Sequence, residues 1–502
     1  MPYPSMNRST YAALPERFFA RVNPTPVAKP RLLKFNEALA EDLGFDLAEL
    51  DAEALAQRFS GNVIPQGLEP IAMAYAGHQF GQFVPQLGDG RAILLAEARD
   101  RGGVHRDIQL KGSGRTPYSR GGDGRAALGP ILREYLVSEA MHSLGIPTTR
   151  ALAAVTTGES VFRERPLPGA ILTRVAASLV RVGTFQYFAA RGDIDGVRQL
   201  ADYVIGRNPP KIGADANPYL ALLRAVTESQ ASLIANWMNV GFIHGVMNTD
   251  NMAVSGETID FGPCAFMDSY DPAAVFSSID SQGRYAFGNQ PHAAVWNLAR
   301  LAETLLPLID SNADRAVELA TEVVSAFSVR FAEHWLAGAR GKLGLSTPEE
   351  GDPALVEDLL NIMHRNQADF TLTFRALCEA AEGDGAEWAA AKDAPADAKL
   401  RALFANPQEC DQWLIRWRQR LSRDPQESQV RVNAMRQVNP AVIPRNHRIE
   451  QVIVAATERE DFGPFIELSS VLSRPYRELE GLERYADPPR PEERVLRTFC
   501  GT

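Results

Sequence analysis

Apolar positions divide the chain into an early sheet-forming region and a long helical remainder. Residues 92–97 and 107–111 read as strands, separated by the polar turn Arg101-Gly102-Gly103. In the second strand Ile108 and Leu110 alternate with Asp107, Gln109 and Lys111, so one face is apolar and Lys111 projects from the other. A Gly-rich basic loop, residues 112–124, leads into a helix with Pro130 in its first turn, Gly145 at its C-terminal cap and Pro147 beyond. Ile131, Tyr135, Leu136 and Ala140 form its apolar stripe. A second helix is expected over 222–237, where Leu223, Val226, Gln230, Leu233 and Trp237 recur at helical spacing. It feeds a loop, 244–251, and then an expected hairpin: Met252-Ala253-Val254, a Ser255-Gly256 turn, Thr258-Ile259 and Asp260-Phe261-Gly262. The first sixty or so residues read as an irregular arm followed by a short helical stretch. Beyond about residue 290 the pattern is mostly helical and acidic, with few strand formers in 313–333 or 380–402.

Composition narrows the class. At 502 residues the chain calls for two to four domains or lobes at roughly 100–200 residues each. An apolar fraction of 45% and a charged fraction of 23% are those of a globular protein. A net charge of −10 argues against nucleic acid or an anionic membrane as partner, since both need a basic face. Cys264, Cys378, Cys410 and Cys500 form no CxxC pair, so neither a zinc knuckle nor a disulfide framework is expected. No stretch approaches the roughly 18 apolar residues of a spanning helix, and residues 1–27 lack a secretory apolar block. A cytoplasmic address is the expectation.

Four pieces of candidate chemistry follow in order. Gly88-Asp89-Gly90-Arg91 precedes a strand, and glycines let backbone N–H groups approach a phosphate; alone, such a turn is usually an ordinary hairpin. Lys111 is followed by a helix carrying Glu134 and Glu139, the arrangement by which kinase-like folds hold ATP phosphates. A helical wheel places Glu139 nearer the apolar stripe, whereas the pattern around Arg133-Glu134 better suits the kinase position, and Glu134 is the expected partner. His244 and Asn251 reproduce the outer spacing of the kinase pattern H-R-D-x-x-x-x-N, but Val246 stands where the catalytic Asp belongs. Valine accepts no proton, so Asp250 is the carboxylate left to do so. Asp260-Phe261-Gly262 with Asn251 offers hard oxygen ligands for Mg²⁺. A lone DFG is a common accident; four such pieces in order are not.

At these residues the chain resembles the selenoprotein O family of protein adenylyltransferases. The resemblance rests on residues 74–92, 107–152, 244–268 and 437–450, and runs nearly the whole length of the chain. It implies an α+β, protein-kinase-like two-lobed fold with an N-terminal arm (1–60), an N-lobe (61–165), a C-lobe (166–340) and a helical C-terminal region (341–502). It implies ATP held inverted relative to kinases, its α-phosphate towards the acceptor. By similarity Gly88, Gly90, Arg91, Lys111, Asp123, Gly124, Arg174, Arg181 and Asp260 contact the nucleotide. Asn251 and Asp260 ligate Mg²⁺ or Mn²⁺. Lys111 and Glu134 act with Asp250, the proton acceptor. Arg guanidinium groups suit phosphate oxygens because they present planar, permanently charged donor forks. One departure is the tail: Arg497 stands three residues before Cys500, so no local redox pair exists there.

The activity implied is transfer of AMP from ATP to Ser, Thr or Tyr hydroxyls of proteins, with pyrophosphate released. Two other readings stand beside it: phosphoryl transfer by a protein or small-molecule kinase, and a non-catalytic nucleotide-binding scaffold. Val246 counts against the first and the metal-ligand pair against the second. His78 and Gln79 are read as supports of local structure, and His447 as a structural hydrogen-bonder.

Overall fold

The computed structural model describes residues 6–45, 51–207, 217–383 and 395–499. Its frame is an antiparallel sheet built from β1 (Phe19–Arg21), β2 (Arg31–Phe35), β3 (Ile71–Met73), β6 (Ala92–Arg99), β7 (His105–Lys111), β9 (Arg150–Phe162) and β10 (Pro166–Ala176), in the order β1-β3-β6-β7-β10-β9-β2. The short β8 (Ala126–Ala127) pairs with β10, and β4 (Gly77–Gln79) with β5 (Gln82–Val84) makes a separate hairpin. The fold is thus mixed α and β with antiparallel sheets.

The central hairpin forms where the alternation places it. Asp100 accepts the Val104 amide at 2.9 Å and Gly103 takes a left-handed φ of 78°, closing the turn between β6 and β7. Ile108 and Leu110 of β7 pack with Leu95, Leu152 and Val155 on one face. Gln109 and Lys111 face the other way and are buried too, because the helix Leu128–Ser143 lies across that side. Pro130 sits in the first turn of this helix, and Gly145 just past its end has a φ of 79°. The helix is buried on almost every side: the sheet covers one face, and helices Asn446–Arg459 and Gly463–Leu472 cover another.

Three expectations change. The first sixty residues carry both edge strands of the sheet, β1 pairing with β3 and β2 with β9. β1 has only three residues, too few for alternation to show, and β2 reads Arg31-Leu32-Leu33-Lys34-Phe35, which does not alternate. The boundary between residues 165 and 166 falls inside the β9–β10 hairpin, and the sheet runs on to Ala176. Third, the expected hairpin over 252–262 does not pair with itself. Its Ser255-Gly256 turn exists, but Ala253 bridges Arg181 and Thr258 bridges Thr148. Arms this short satisfy their backbone groups better against these neighbours than against each other.

Beyond the sheet the described residues are mostly helical, apart from the short antiparallel pair Phe242–Ile243 with Ala265–Phe266. Pro218–Val240 contains the helix expected over 222–237, and Ala313–Lys342 the one expected over 313–333. Of the stretch 380–402, residues 384–394 lie outside the described residues, and Pro395–Arg401 is helical. The helix Asp352–Asn366 and its neighbours up to Met435 surround a second core around the stacked Trp413 and Trp417. The chain then returns to the first core, where Phe465 meets Tyr135 edge-on at 5.5 Å. Among the described residues no helix is long and apolar enough to cross a membrane.

Candidate active site

A cavity of about 340 Å³ opens between the sheet and the helices. Gly90, Arg91, Lys111, Glu134, Arg174, Arg181, Asp250, Asn251 and Asp260 all line it. Of the residues expected at the nucleotide, Gly88, Asp123 and Gly124 do not.

The turn before β6 sets one wall. A Cβ on Gly88 would lie 2.3 Å from the Tyr118 ring, and one on Gly90 would lie 2.8 Å from the Tyr118 carbonyl. Glycine here lets the loop 112–124 close over the turn. Thr116 seals the contact by donating to the Asp89 carbonyl at 2.7 Å, and Ser119 donates to that of Gly90. Further along the loop, Asp123 is tied to Arg163 at 2.9 Å and to the Arg125 amide at 2.9 Å, so its carboxylate braces the loop.

The centre of the cavity is a cluster of buried charges. Lys111 Nζ lies 2.5 Å from Glu134 Oε2 and 3.3 Å from Asp260 Oδ1. Arg174 grips the other Glu134 oxygen with two nitrogens and reaches Asp260 Oδ1 at 2.6 Å. Arg181 reaches Asp260 Oδ2 at 2.6 Å and packs over the Tyr75 ring. Glu139 is turned elsewhere, to Arg150, Asn36 and the Ala151 amide. Burial pushes the Glu134 and Asp260 carboxyls upward, but the Arg174 guanidinium, with Lys111 and for Asp260 also Arg181, outweighs it. Both are held below the usual carboxylate range, Asp260 well below. Asp260 also has a left-handed φ of 65°, a conformation that Asp tolerates better than most residues.

Asp250 is held differently. It sits on the turn Thr249–Asn251 at the end of the 244–251 loop, with one oxygen taking Gln79 Nε2 at 3.1 Å. The other oxygen is buried with no hydrogen-bond partner among the described residues. Burial pushes the carboxyl up to about 6, against the pull of Arg181 and the Gln79 bond. Burial likewise raises Asp89 to about 6. The β4–β5 hairpin pins the loop: Phe80 donates its amide to Asn248 at 3.0 Å and His78 donates its own to Thr249 at 2.7 Å. His244 is buried and bonded through Nε2 to the Ile259 carbonyl at 2.8 Å, and burial lowers its pKa, so it orders the loop as a neutral ring.

Gln79, assigned above to local support, therefore reaches the candidate proton acceptor directly. Tyr75, Asp89 and Asn248 also line the cavity. The Gly88-Asp89-Gly90-Arg91 motif contained the signal for Asp89. No local pattern marks the others, whose partners lie far along the chain.

The donor set fits a hard cation. Asn251 spends its Nδ2 on the Val246 carbonyl at 2.9 Å, leaving its Oδ1 as an acceptor. That oxygen, the orphaned Asp250 oxygen and the Asp260 carboxylate are the ligand types Mg²⁺ and Mn²⁺ prefer. Among the described residues no three His, Cys, Asp or Glu side chains converge as a metal site by themselves, so phosphate oxygens or water would complete the shell.

Comparison with known proteins agrees in one direction. A family profile described as "Protein adenylyltransferase SelO" matches residues 5–473. "Protein nucleotidyltransferase YdiU" of Rhizobium meliloti (strain 1021) is 61% identical over 494 residues, 98% of this chain and 99% of that protein. The protein of the same name from Rhizobium leguminosarum bv. trifolii (strain WSM2304) is 62% identical over 98% of this chain and 97% of its own length. That of Bradyrhizobium sp. (strain BTAi1 / ATCC BAA-1182) is 61% identical over 99% of each. With two buried arginines, a lysine–glutamate pair and a carboxylate loop gathered on one cavity, the chain belongs to the SelO family of protein adenylyltransferases.

Proposed function

We propose that this protein transfers AMP from ATP to Ser, Thr or Tyr hydroxyls of other proteins, releasing pyrophosphate, on a kinase-like two-lobed frame. The observation that carries the reading is the ring of Lys111, Arg174 and Arg181 around Asp260, with Asp250 beside it. Three fixed cations at the floor of a cavity suit the terminal phosphates of a nucleotide, and their buried positions need no rearrangement to meet developing charge. Arg91 and Arg120, which also line the cavity, extend the positive wall.

Asn251 and Asp260 would hold Mg²⁺ or Mn²⁺, which supplies charge neutralisation between phosphate oxygens. Lys111, locked by Glu134, and the two arginines orient the polyphosphate. With the γ-phosphate drawn down to the arginines, the α-phosphorus faces the loop that carries Asp250. A carboxylate with a pKa of about 6 is ionised at neutral pH, yet basic enough to take the proton of an attacking hydroxyl. Val246, buried and apolar at the place of the kinase base, has no part in that transfer. A cytoplasmic setting accords with Cys264, Cys378 and Cys410, each a free, buried thiol.

The test is label transfer. Incubated with a cell lysate and ATP labelled at the α- or the γ-phosphate, the wild-type protein is expected to pass only α-label to protein. Predominant γ-label transfer would instead establish a kinase, and no transfer of either label would leave a nucleotide-binding scaffold.

A further inference from the structure

A second cavity, of about 420 Å³, lies away from the charge cluster, where the helix Pro218–Val240 meets Gln290–Ile309, Ala313–Lys342, Asp352–Asn366 and Phe370–Ala380. Its volume is that of a small-ligand pocket rather than a packing defect. The walls are largely aromatic and aliphatic, among them Tyr270, Phe331, Trp335 and Leu360, and no Asp or Glu lines it. One charge does. Lys342, in the last turn of its helix, is 3% exposed and makes no ion pair or side-chain hydrogen bond among the described residues. Its ammonium lies 4.0 Å from the centre of the Phe374 ring and 5.3 Å from that of Phe370, and both rings line the cavity.

A buried ammonium without a counter-ion is costly, and two ring faces offset only part of that cost. Burial lowers the Lys342 pKa to about 7, with the nearby Cys378 acting weakly the other way. A methionine or leucine would fill this position at no such cost. The combination that satisfies the site is an anion placed against Nζ with an apolar body filling the aromatic chamber.

We infer that this cavity binds a small amphipathic carboxylate, its head paired with Lys342 and its chain or ring of roughly eight carbons held among the aromatic side chains. The site is distinct from the nucleotide cavity but backs onto the loop that carries Asp250. Gln290, at the start of the helix whose Pro291 lines the chamber, accepts the His244 amide at 3.0 Å and donates to the Phe242 carbonyl at 2.9 Å.

Calorimetric titration of the full-length protein with sodium octanoate and with 1-octanol tests the assignment. Octanoate is expected to bind wild type one to one, and Lys342→Met to weaken it at least about tenfold while leaving octanol within about threefold. Lys342→Arg should restore binding to within about threefold of wild type, since it restores the charge. Thermal melts should show Lys342→Met no less stable than wild type, which separates lost recognition from lost folding. Val295→Trp, which narrows the chamber without touching the charge, should abolish binding of both probes. Failure of octanoate to bind wild type in the millimolar range would overturn the inference. So would equal octanoate affinity in wild type and Lys342→Met, or unchanged binding by Val295→Trp.

Discussion

Arg181 and Asp260 meet at 2.6 Å, and the same arginine nitrogen also donates to the backbone carbonyl of Asp250 at 2.5 Å. One guanidinium therefore fixes both the proposed metal-binding carboxylate and the backbone of the proposed base. The two functions share a single anchor, and the variants that matter most lie around it.

Asp260 is the first. Replacing it by Asn removes the charge that three cations surround but keeps a side chain tolerant of the left-handed backbone at φ 65°. Asp260→Ala removes the charge and adds backbone strain of about 1 kcal/mol. Both variants should lose turnover, measured as α-label transfer at limiting metal. In urea unfolding Asp260→Ala should be the less stable of the two by about that amount. Wild-type rates in either variant would remove Asp260 from the metal site.

Asp250 gives a pH test with a definite sign. Its folded pKa of about 6 lies above the ordinary Asp value, so burial disfavours its ionised form. The native state is therefore undisturbed by this group below about pH 4 and loses stability as pH rises through about 6. Asp250→Asn should then match wild type at low pH and be more stable at pH 8, by up to about 3 kcal/mol. Activity should move the opposite way. The wild-type rate should rise with pH through about 6 as the base ionises, and Asp250→Ala should lower it about 10²–10⁴-fold with a flat profile. A rate that falls through that range in wild type would exclude Asp250 as the base.

Glu134 and Glu139 separate site from scaffold on one helix. Glu134→Gln strips a buried anion from between Lys111 and Arg174, and such broken pairs cost about 3–5 kcal/mol. It should weaken ATP binding and turnover together. Glu139→Gln disturbs only the junction with Arg150 and Asn36. Calorimetric ATP affinity should be near wild type in that variant, with a lowered melting temperature as its main effect. Lost ATP binding by Glu139→Gln with intact binding by Glu134→Gln would reverse the assignment.

The helical wheel failed to decide between these two glutamates for a physical reason. It assumes one wet face, and the helix Leu128–Ser143 has none worth the name. The Lys111 strand was legible because Ile108 and Leu110 alternate cleanly against a real two-sided sheet. The hairpin over 252–262 was not, since its arms pair with Arg181 and Thr148, and local pattern carries no record of distant partners. The same blindness hid Gln79, which sits 171 residues before the carboxylate it bonds. Arg174 and Arg181 were recognisable only through family resemblance, because nothing local distinguishes a fully buried arginine from a surface one.

Arg445 extends the charge logic to the segment that follows Asp260. It is fully buried, with its Nη1 shared between the carboxylates of Asp268 and Asp369 and its Nε on the Ala486 carbonyl at 3.0 Å. Asp369 in turn caps the helix Phe370–Ala380 through the Leu372 amide at 2.8 Å. Burial already raises the Asp268 pKa, and Arg445 is the main group opposing it. In Arg445→Met two carboxylates would face each other without a cation, a loss of about 3–5 kcal/mol at neutral pH. Without the arginine the Asp268 carboxyl should take up its proton at higher pH when folded than when unfolded. The deficit should therefore be full at neutral pH and shrink as pH falls towards about 4. Because residues 261–268 lead directly from Asp260, turnover should drop even at temperatures where the variant stays folded. Urea unfolding of wild type and Arg445→Met from pH 4 to 8 distinguishes the causes. A deficit that narrows on acidification marks released carboxylate charge, whereas one constant across the range would mean that Arg445 acts by packing alone.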